Sequence, residues 1–262
     1  MEKITSKTNQ IVKDTVKLFS SSKFRNEQGL FVLEGARLCS DILNSNCELV
    51  KLLVTENFNR KNSNLVDSLS AVCKNSYLIT EEIADKICNT VNPQGIFAVC
   101  KMKKDVYEVD FDKKYIALEN VQDPANLGSV ARTAEALGID GIIISGGCDI
   151  YNPKALRASM GSLLRIKIIF CDNLSEFLKV LNGKIKIYAT VPYSYAKDIR
   201  KCDFSKGAIC VIGNEANGVT DEVKENSDCL VTIKMLGLAE SLNASTAASI
   251  TMWEMLRGEN NE

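Results

Sequence analysis

The sequence predicts an α/β protein: a carboxy-terminal parallel-sheet domain preceded by a smaller α/β domain. Six short, almost continuously apolar runs recur from Tyr115 onward: Tyr115–Leu118, Gly141–Ile144, Ile166–Phe170, Ile185–Thr190, Ala208–Ile212 and Cys229–Ile233. Helical segments separate most of them, and strands buried on both faces that alternate with helices are the signature of a parallel sheet. With 262 residues, 45% hydrophobic and 25% charged, the chain can build one or two ordinary cores.

Taken in order, residues 1–25 carry Lys3, Lys7, Lys13, Lys17, Lys23 and Arg25 against Glu2 and Asp14, a local excess of four positive charges. Leu30–Leu33 reads as a strand, Gly35–Leu43 as a helix, Leu49–Val54 as a strand, Leu65–Cys73 as a helix and Ile96–Cys100 as a strand. Lys101–Lys114 is polar and has no strong period. These shifts set boundaries at 1–104 for the first domain with its basic extension, 105–114 for a linker and 115–262 for the second domain. There Asn126 can cap a helix that runs through Leu137 and stops at Gly138, and Asn152-Pro153 can open another. The last helix, Leu242–Leu256, is rich in alanine, serine and threonine, which permit close packing.

Composition excludes several chemistries. The chain has no histidine, so Ser-His and Cys-His pairs and imidazole-held metals are ruled out. No apolar run exceeds five residues, too short for a membrane span of ~20. The start, Met1-Glu2-Lys3-Ile4, lacks the apolar stretch of a signal peptide. Ten cysteines are scattered without a CxxC pair, which fits reduced thiols packed as small hydrophobes in a cytoplasmic protein. The net charge is −1, so any nucleic-acid surface must be local. Besides the amino terminus, residues 151–170 qualify, with Lys154, Arg157, Arg165 and Lys167 and no acid.

An open α/β sheet places ligands at the carboxyl ends of its strands. Three loops there are polar and dense. Glu119–Thr133 is turn-rich and enters a helix whose second turn carries Arg132; by itself it reads equally well as a cap and a surface arginine. Arg132 lies six residues after Asn126, so both can face one pocket. Gly213-Asn214-Glu215-Ala216-Asn217-Gly218 sets a carboxylate between glycines at a strand end, where backbone can approach a ligand, though many strand-to-helix turns look alike. It is neither a GxGxxG dinucleotide fingerprint nor a phosphate loop. Ile233–Thr246 crowds Glu240, Ser241, Asn243, Ser245 and Thr246 at the start of the last helix, where a simple cap, Ser241 or Asn243, needs one.

Together, NxGxxxR (Asn126–Arg132), GxExxG (Gly213–Gly218) and ESLNxSxA (Glu240–Ala247) resemble the ordered motifs of the SpoU/TrmH-type RNA 2′-O-ribose methyltransferases of the SPOUT superfamily. The resemblance spans about Tyr115 to Arg257. Arg157-Ala158-Ser159-Met160-Gly161 resembles the family's RxSxG element, and Asn92-Pro93-Gln94-Gly95-Ile96 a motif ending its amino-terminal, ribosomal-protein-like substrate-binding domain. Ala244 stands where a valine is commoner and Ser162 where a small alanine is usual; neither removes a functional group.

The resemblance implies a deep trefoil knot and S-adenosyl-L-methionine as cofactor, with no metal. It implies cofactor contacts at Gly213, Ile233, Leu242 and Asn243, and catalytic roles for Arg132, Asn126, Glu215, Ser241 and Asn243. It further implies RNA, foremost rRNA, as substrate, a homodimer and no membrane. The donor's sulfonium is already activated, which suits a histidine-free chain. The arginine is either a general base, awkward at a pKa above ~12, or an electrostatic positioner. The alternatives are an inactive RNA-binding or ribosome-assembly protein of the same fold, a tRNA ribose or RNA base methyltransferase, and a Rossmann-type methyltransferase. Intact site residues disfavour the first. The absence of a glycine-rich loop after the first strand of the second domain disfavours the last.

Overall fold

A computed structural model describes residues 1–90, 93–103 and 108–257. The chain divides into two units, Met1–Lys104 with Asp149–Arg165, and Asp105–Cys148 with Ile166–Glu262.

The first unit opens with β1 (Glu2–Ile4), α1 (Gln10–Ser20), α2 (Ser22–Gln28), β2 (Leu30–Glu34) and α3 (Ala36–Asp41). It continues with β3 (Leu49–Thr55), α4 (Glu56–Lys61), α5 (Ser63–Ala71), β4 (Asn75–Ile79), α6 (Glu81–Ile87) and β5 (Ile96–Lys101). Its sheet has the order β1-β4-β3-β5-β2, with β5 antiparallel to both neighbours. The strands and helices expected within residues 30–100 are present within a few residues. The basic amino terminus is largely spent on its own unit: Lys3 pairs with Glu56 and Lys7 with Glu82. Arg25 is buried against Asp149 at 2.7 Å and donates to the carbonyls of Leu18 and Phe19. A sum of charges along a sequence does not report such pairing.

The rest of the chain contributes β6 (Lys114–Glu119), α7 (Pro124–Leu137), β7 (Gly141–Ser145), α8 (Pro153–Ser159), α9 (Ser162–Arg165), β8 (Ile168–Phe170) and α10 (Leu174–Leu181). After these come β9 (Lys186–Thr190), β10 (Lys197–Asp198), β11 (Ala208–Ile212), α11 (Asp221–Glu225), β12 (Cys229–Thr232) and α12 (Ala244–Leu256). Seven strands form one all-parallel sheet, β10-β12-β9-β11-β6-β7-β8. All six apolar runs read from the sequence are strands in it. The seventh, β10, has two residues, too few to leave a periodic signal.

Although α8 and α9 interrupt the second unit in sequence, they pack in the first. Tyr151 lies against Phe31 with ring centres 4.5 Å apart, and Arg165 pairs with Asp41 at 3.0 Å. Gly161 is at φ +87°, and a Cβ there would lie 2.0 Å from the Asp41 carboxylate, so the Arg157–Gly161 element is built for this contact. Residues 105–107 of the expected linker and Asn92 of the Asn92–Ile96 motif lie outside the described residues. Lys114, the last residue of that linker, is already in β6. Among the described residues no helix is long and apolar enough to cross a membrane. All ten cysteines are free thiols, four of them buried.

Candidate active site

The parallel register brings the three polar loops to one edge. Leu118 pairs with Ile212 across β6 and β11, Ala189 with Val211 across β9 and β11, and Thr190 with Val231 across β9 and β12. All four strands therefore end together. From β6 the chain proceeds to β7 and β8 on one side and later returns to β11 on the other. The loop after β6 thus lies at the switch point where open α/β sheets hold ligands.

Helix α7 is capped by Asp123, whose Oδ1 accepts from the Ala125 amide at 2.9 Å, with Pro124 in the first turn. The expected cap, Asn126, sits inside the first turn instead. The Asp-Pro pair was the stronger start signal, because proline suits the first helical position. Being free of the capping role, the buried Asn126 side chain reaches the other loops. Its Nδ2 donates to Glu215 Oε1 at 2.9 Å, and its Oδ1 accepts from Asn243 Nδ2 at 3.0 Å. Glu215 also accepts from the amides of Gln122 and Asp123, at 3.0 and 3.1 Å. Asn243 caps α12, its Oδ1 accepting from the Ser245 amide at 2.9 Å and the Ser245 hydroxyl at 2.7 Å. The three motifs are one hydrogen-bonded chain. Partial burial pushes the Glu215 carboxyl up, but the donors from Gln122, Asn126 and Asp123 outweigh it, and its pKa lies below the usual glutamate range. A carboxylate so supplied with donors is a weak base and a strong tether.

Two further ties were not read from the sequence. Asn214 donates to the Asn120 carbonyl at 2.8 Å, and Glu119 accepts from the Thr220 amide and hydroxyl. A glutamate closing an otherwise apolar strand was the available signal for the second tie.

Beside this chain lies a cavity of about 320 Å³, lined by Gly213, Glu215, Ile233, Ser241 and Leu242 together with Val219, Ala244 and Ala247. That is the size and largely apolar lining of a small-molecule pocket. The residues fit a purine nucleoside carrying an aliphatic arm: Ile233, Leu242 and Val219 supply apolar walls, and the loop from Gly213 to Gly218 supplies bare backbone. The two glycines act differently from the sequence reading. A Cβ at Gly213 would lie 2.1 Å from the Gly218 carbonyl carbon, so Gly213 is needed for the loop to close on itself. A Cβ at Gly218 would meet nothing within 4 Å, so the open approach is at that residue.

Arg132 does not join this group within one chain. It is exposed, makes no hydrogen bond or ion pair among the described residues, and does not line the cavity. Six helical residues turn through about 600°, leaving Asn126 and Arg132 about 120° apart around α7. One faces the core and the other faces outward, so the expectation of a shared pocket fails on helix geometry.

The model of the SpoU rRNA Methylase family matches residues 113–253, more than half of the chain. The chain belongs to the SpoU rRNA methylase family. Residues 9–98 match the MRM3-like substrate binding domain, so this SpoU protein carries that domain ahead of its methylase domain. A 23S rRNA (guanosine(2553)-2′-O)-methyltransferase, RlmP, of Bacillus subtilis is 32% identical over 98% of this chain and all of its own. An uncharacterized tRNA/rRNA methyltransferase of Synechocystis is 32% identical over 97% of this chain and 93% of its own. Among solved structures, an AdoMet-bound rRNA methyltransferase from Sinorhizobium meliloti superposes with a TM-score of 0.87 at 29% identity, covering 98% of this chain and 97% of that one.

Proposed function

We propose that this SpoU-family protein transfers a methyl group from S-adenosyl-L-methionine to a ribose 2′-hydroxyl of rRNA. The observation that carries the reading is the Glu215–Asn126–Asn243 chain, which joins three separated motifs at the edge of the 320 Å³ cavity. The full-length similarity to RlmP supports 23S rRNA as the substrate, and the guanosine equivalent to its target is the first nucleotide to examine.

When bound, the cofactor supplies a methyl on a positively charged sulfur that departs without further activation. Ile233 and Leu242 would hold the adenine in an apolar slot with Ser241 beside it, while Asn243, expected as a further cofactor contact, does not line the cavity and instead ties the start of α12 to Asn126. Glu215 and Asn126 fix the loops around the acceptor; as a tied carboxylate, Glu215 positions rather than deprotonates. The 2′-hydroxyl loses its proton to solvent as the carbon–oxygen bond forms. Arg132 stabilises the developing alkoxide and orients the neighbouring phosphate. Its outward position on α7 supports a homodimer in which that face meets a second copy's acceptor. The half-exposed Trp253 on α12, the helix packed against α7, supports the same interface. The return of α12 onto α7, β6 and β11 after β12 supports a knotted path. An rRNA substrate supports a cytoplasmic location.

The test is a map of 2′-O-methyl sites in 23S rRNA from wild-type and deletion strains, with purified protein restoring the missing site on rRNA from the deletion strain. Replacing the target nucleotide with its 2′-deoxy form must abolish the product. Continued methylation would assign the reaction to a base.

A further inference from the structure

Between β9 and β10 the chain turns outward and carries Tyr193 and Tyr195, 36% and 76% exposed. Their rings stack on each other with centres 5.1 Å apart and planes 21° from parallel. Tyr193 is held in place: Lys224 Nζ lies 5.4 Å from its ring centre and donates to its hydroxyl at 3.4 Å, while pairing with Asp221 at 2.9 Å. A stacked aromatic pair left this exposed adds little to a core. It does offer a flat face, and unpaired bases stack on such faces whatever their sequence.

Next to the tyrosines is a second cavity, of about 620 Å³, whose walls include Ser194, Lys197, Lys201, Lys234 and Glu240. It shares Pro192, Thr232, Ile233, Met235 and Glu240 with the first cavity, so the two are neighbours across one wall. The side chains of Lys197, Lys201 and Lys234 make no ion pair or hydrogen bond among the described residues. The acid on the same wall, Asp198, is already neutralised. The Arg200 guanidinium grips both its oxygens, at 3.0 to 3.1 Å from Nε and 2.5 Å from Nη2, and with the Arg200 amide holds its pKa down at about 2. Three lysines thus line, with Glu240 and the already paired Asp198, a cavity beside the methyl-donor pocket.

We propose that this second cavity and the tyrosine pair form a binding site for the single-stranded RNA that flanks the target nucleotide. Lys197, Lys201 and Lys234 neutralise backbone phosphates, and Tyr195 receives a base on its free face. The proposal rests on the reading of the first cavity as the methyl-donor site.

The experiment uses the full chain, a K197A/K201A/K234A variant, and the single variants Tyr195→Ala and Tyr195→Phe. Probes are a fluorescent single-stranded oligouridylate, an RNA duplex of equal length, and 23S rRNA as methyl acceptor. The lysine variant should bind the oligouridylate at least ten-fold more weakly, and its slope of log affinity against log salt should flatten by about 2. Tyr195→Ala should weaken the single strand by about 5- to 100-fold and leave the duplex unchanged, with Tyr195→Phe restoring the loss. With rRNA the KM should rise and kcat hold at saturation, while S-adenosylmethionine binding and Tm stay those of the parent protein. Unchanged affinity and slope in the lysine variant would overturn the proposal. So would loss of cofactor binding without loss of RNA binding, or a Tyr195→Phe variant as weak as Tyr195→Ala. The oligouridylate arm needs no turnover. A parent protein that fails to methylate rRNA therefore defeats the reading of the first cavity, and the binding arm still decides the second.

Discussion

Asn126 donates to Glu215 at 2.9 Å, 89 residues away in sequence, and accepts from Asn243, 117 residues away, at 3.0 Å. The chemistry at both ends forces this polarity. A carboxylate only accepts, so the Asn126 NH₂ must face Glu215. The amides opening α12 only donate, so the Asn243 oxygen must face them and its NH₂ must face Asn126. One asparagine thus registers three loops.

That polarity makes Asn126→Asp worse than Asn126→Ala. The aspartate sets a second carboxylate against Glu215, and methyl transfer should fall at least ten-fold with a lowered Tm. Adding Glu215→Gln supplies a donor again and should recover part of the loss. A double-mutant cycle should return a coupling of about 1–3 kcal/mol; additive losses would show the pair is not coupled.

The Glu215 pKa is depressed in the fold, so its contribution is complete above the ordinary value of 4.5 and is lost as pH falls through the lower folded value. Between pH 5 and 9 the group stays a carboxylate. The pH profile of kcat/KM should therefore carry no Glu215 limb in that range, and any limb present should stay in place in Glu215→Gln. A limb near pH 6 that vanishes in the variant would make Glu215 a base.

Arg132 has no partner among the described residues, so Arg132→Ala should change stability by no more than about 0.5 kcal/mol. Cofactor affinity should also hold. Methyl transfer should drop by ~10²-fold or more, as for a removed preorganised electrostatic group. Arg132→Lys should recover little, because an ammonium cannot reproduce the planar fork. Calorimetry and single-turnover assays separate the three readouts.

At Gly213 even one methyl collides with backbone, 2.1 Å from the Gly218 carbonyl carbon and 2.3 Å from the Val219 nitrogen. Gly213→Ala should lower Tm and cofactor affinity together. Lost affinity at an unchanged Tm would return the glycine to the role of a ligand-facing residue.

In the first unit, Arg25 and Asp149 form a buried pair, with Arg25 side chain 4% and Asp149 17% exposed. Arg25→Met leaves the carboxylate without its cation and should cost about 3–5 kcal/mol in denaturant unfolding. A cost under about 1 kcal/mol would show that Asp149 finds solvent instead.

The sequence alone determined the sheet. Runs such as Ala208–Ile212 and Gly141–Ile144 are apolar on both faces, as strands buried on both sides require, and their alternation with helices points to parallel pairing. It also set NxGxxxR, GxExxG and ESLNxSxA at strand ends, the loops that the fold joins through Asn126, Glu215 and Asn243. Local signals offered two helix starts, Asp123-Pro124 and Asn126; the Asp-Pro pair was the stronger, and the structure commits Asn126 to Glu215 and Asn243 instead. Tertiary structure alone decided the rest. It spent Lys3, Lys7 and Arg25 on ion pairs and drew Asp149–Arg165 into the first unit. It also closed the backbone over Gly213 and left it open at Gly218. Periodicity reports which face of an element is apolar. Partners many residues away are set by how the faces pack, and no local pattern encodes them.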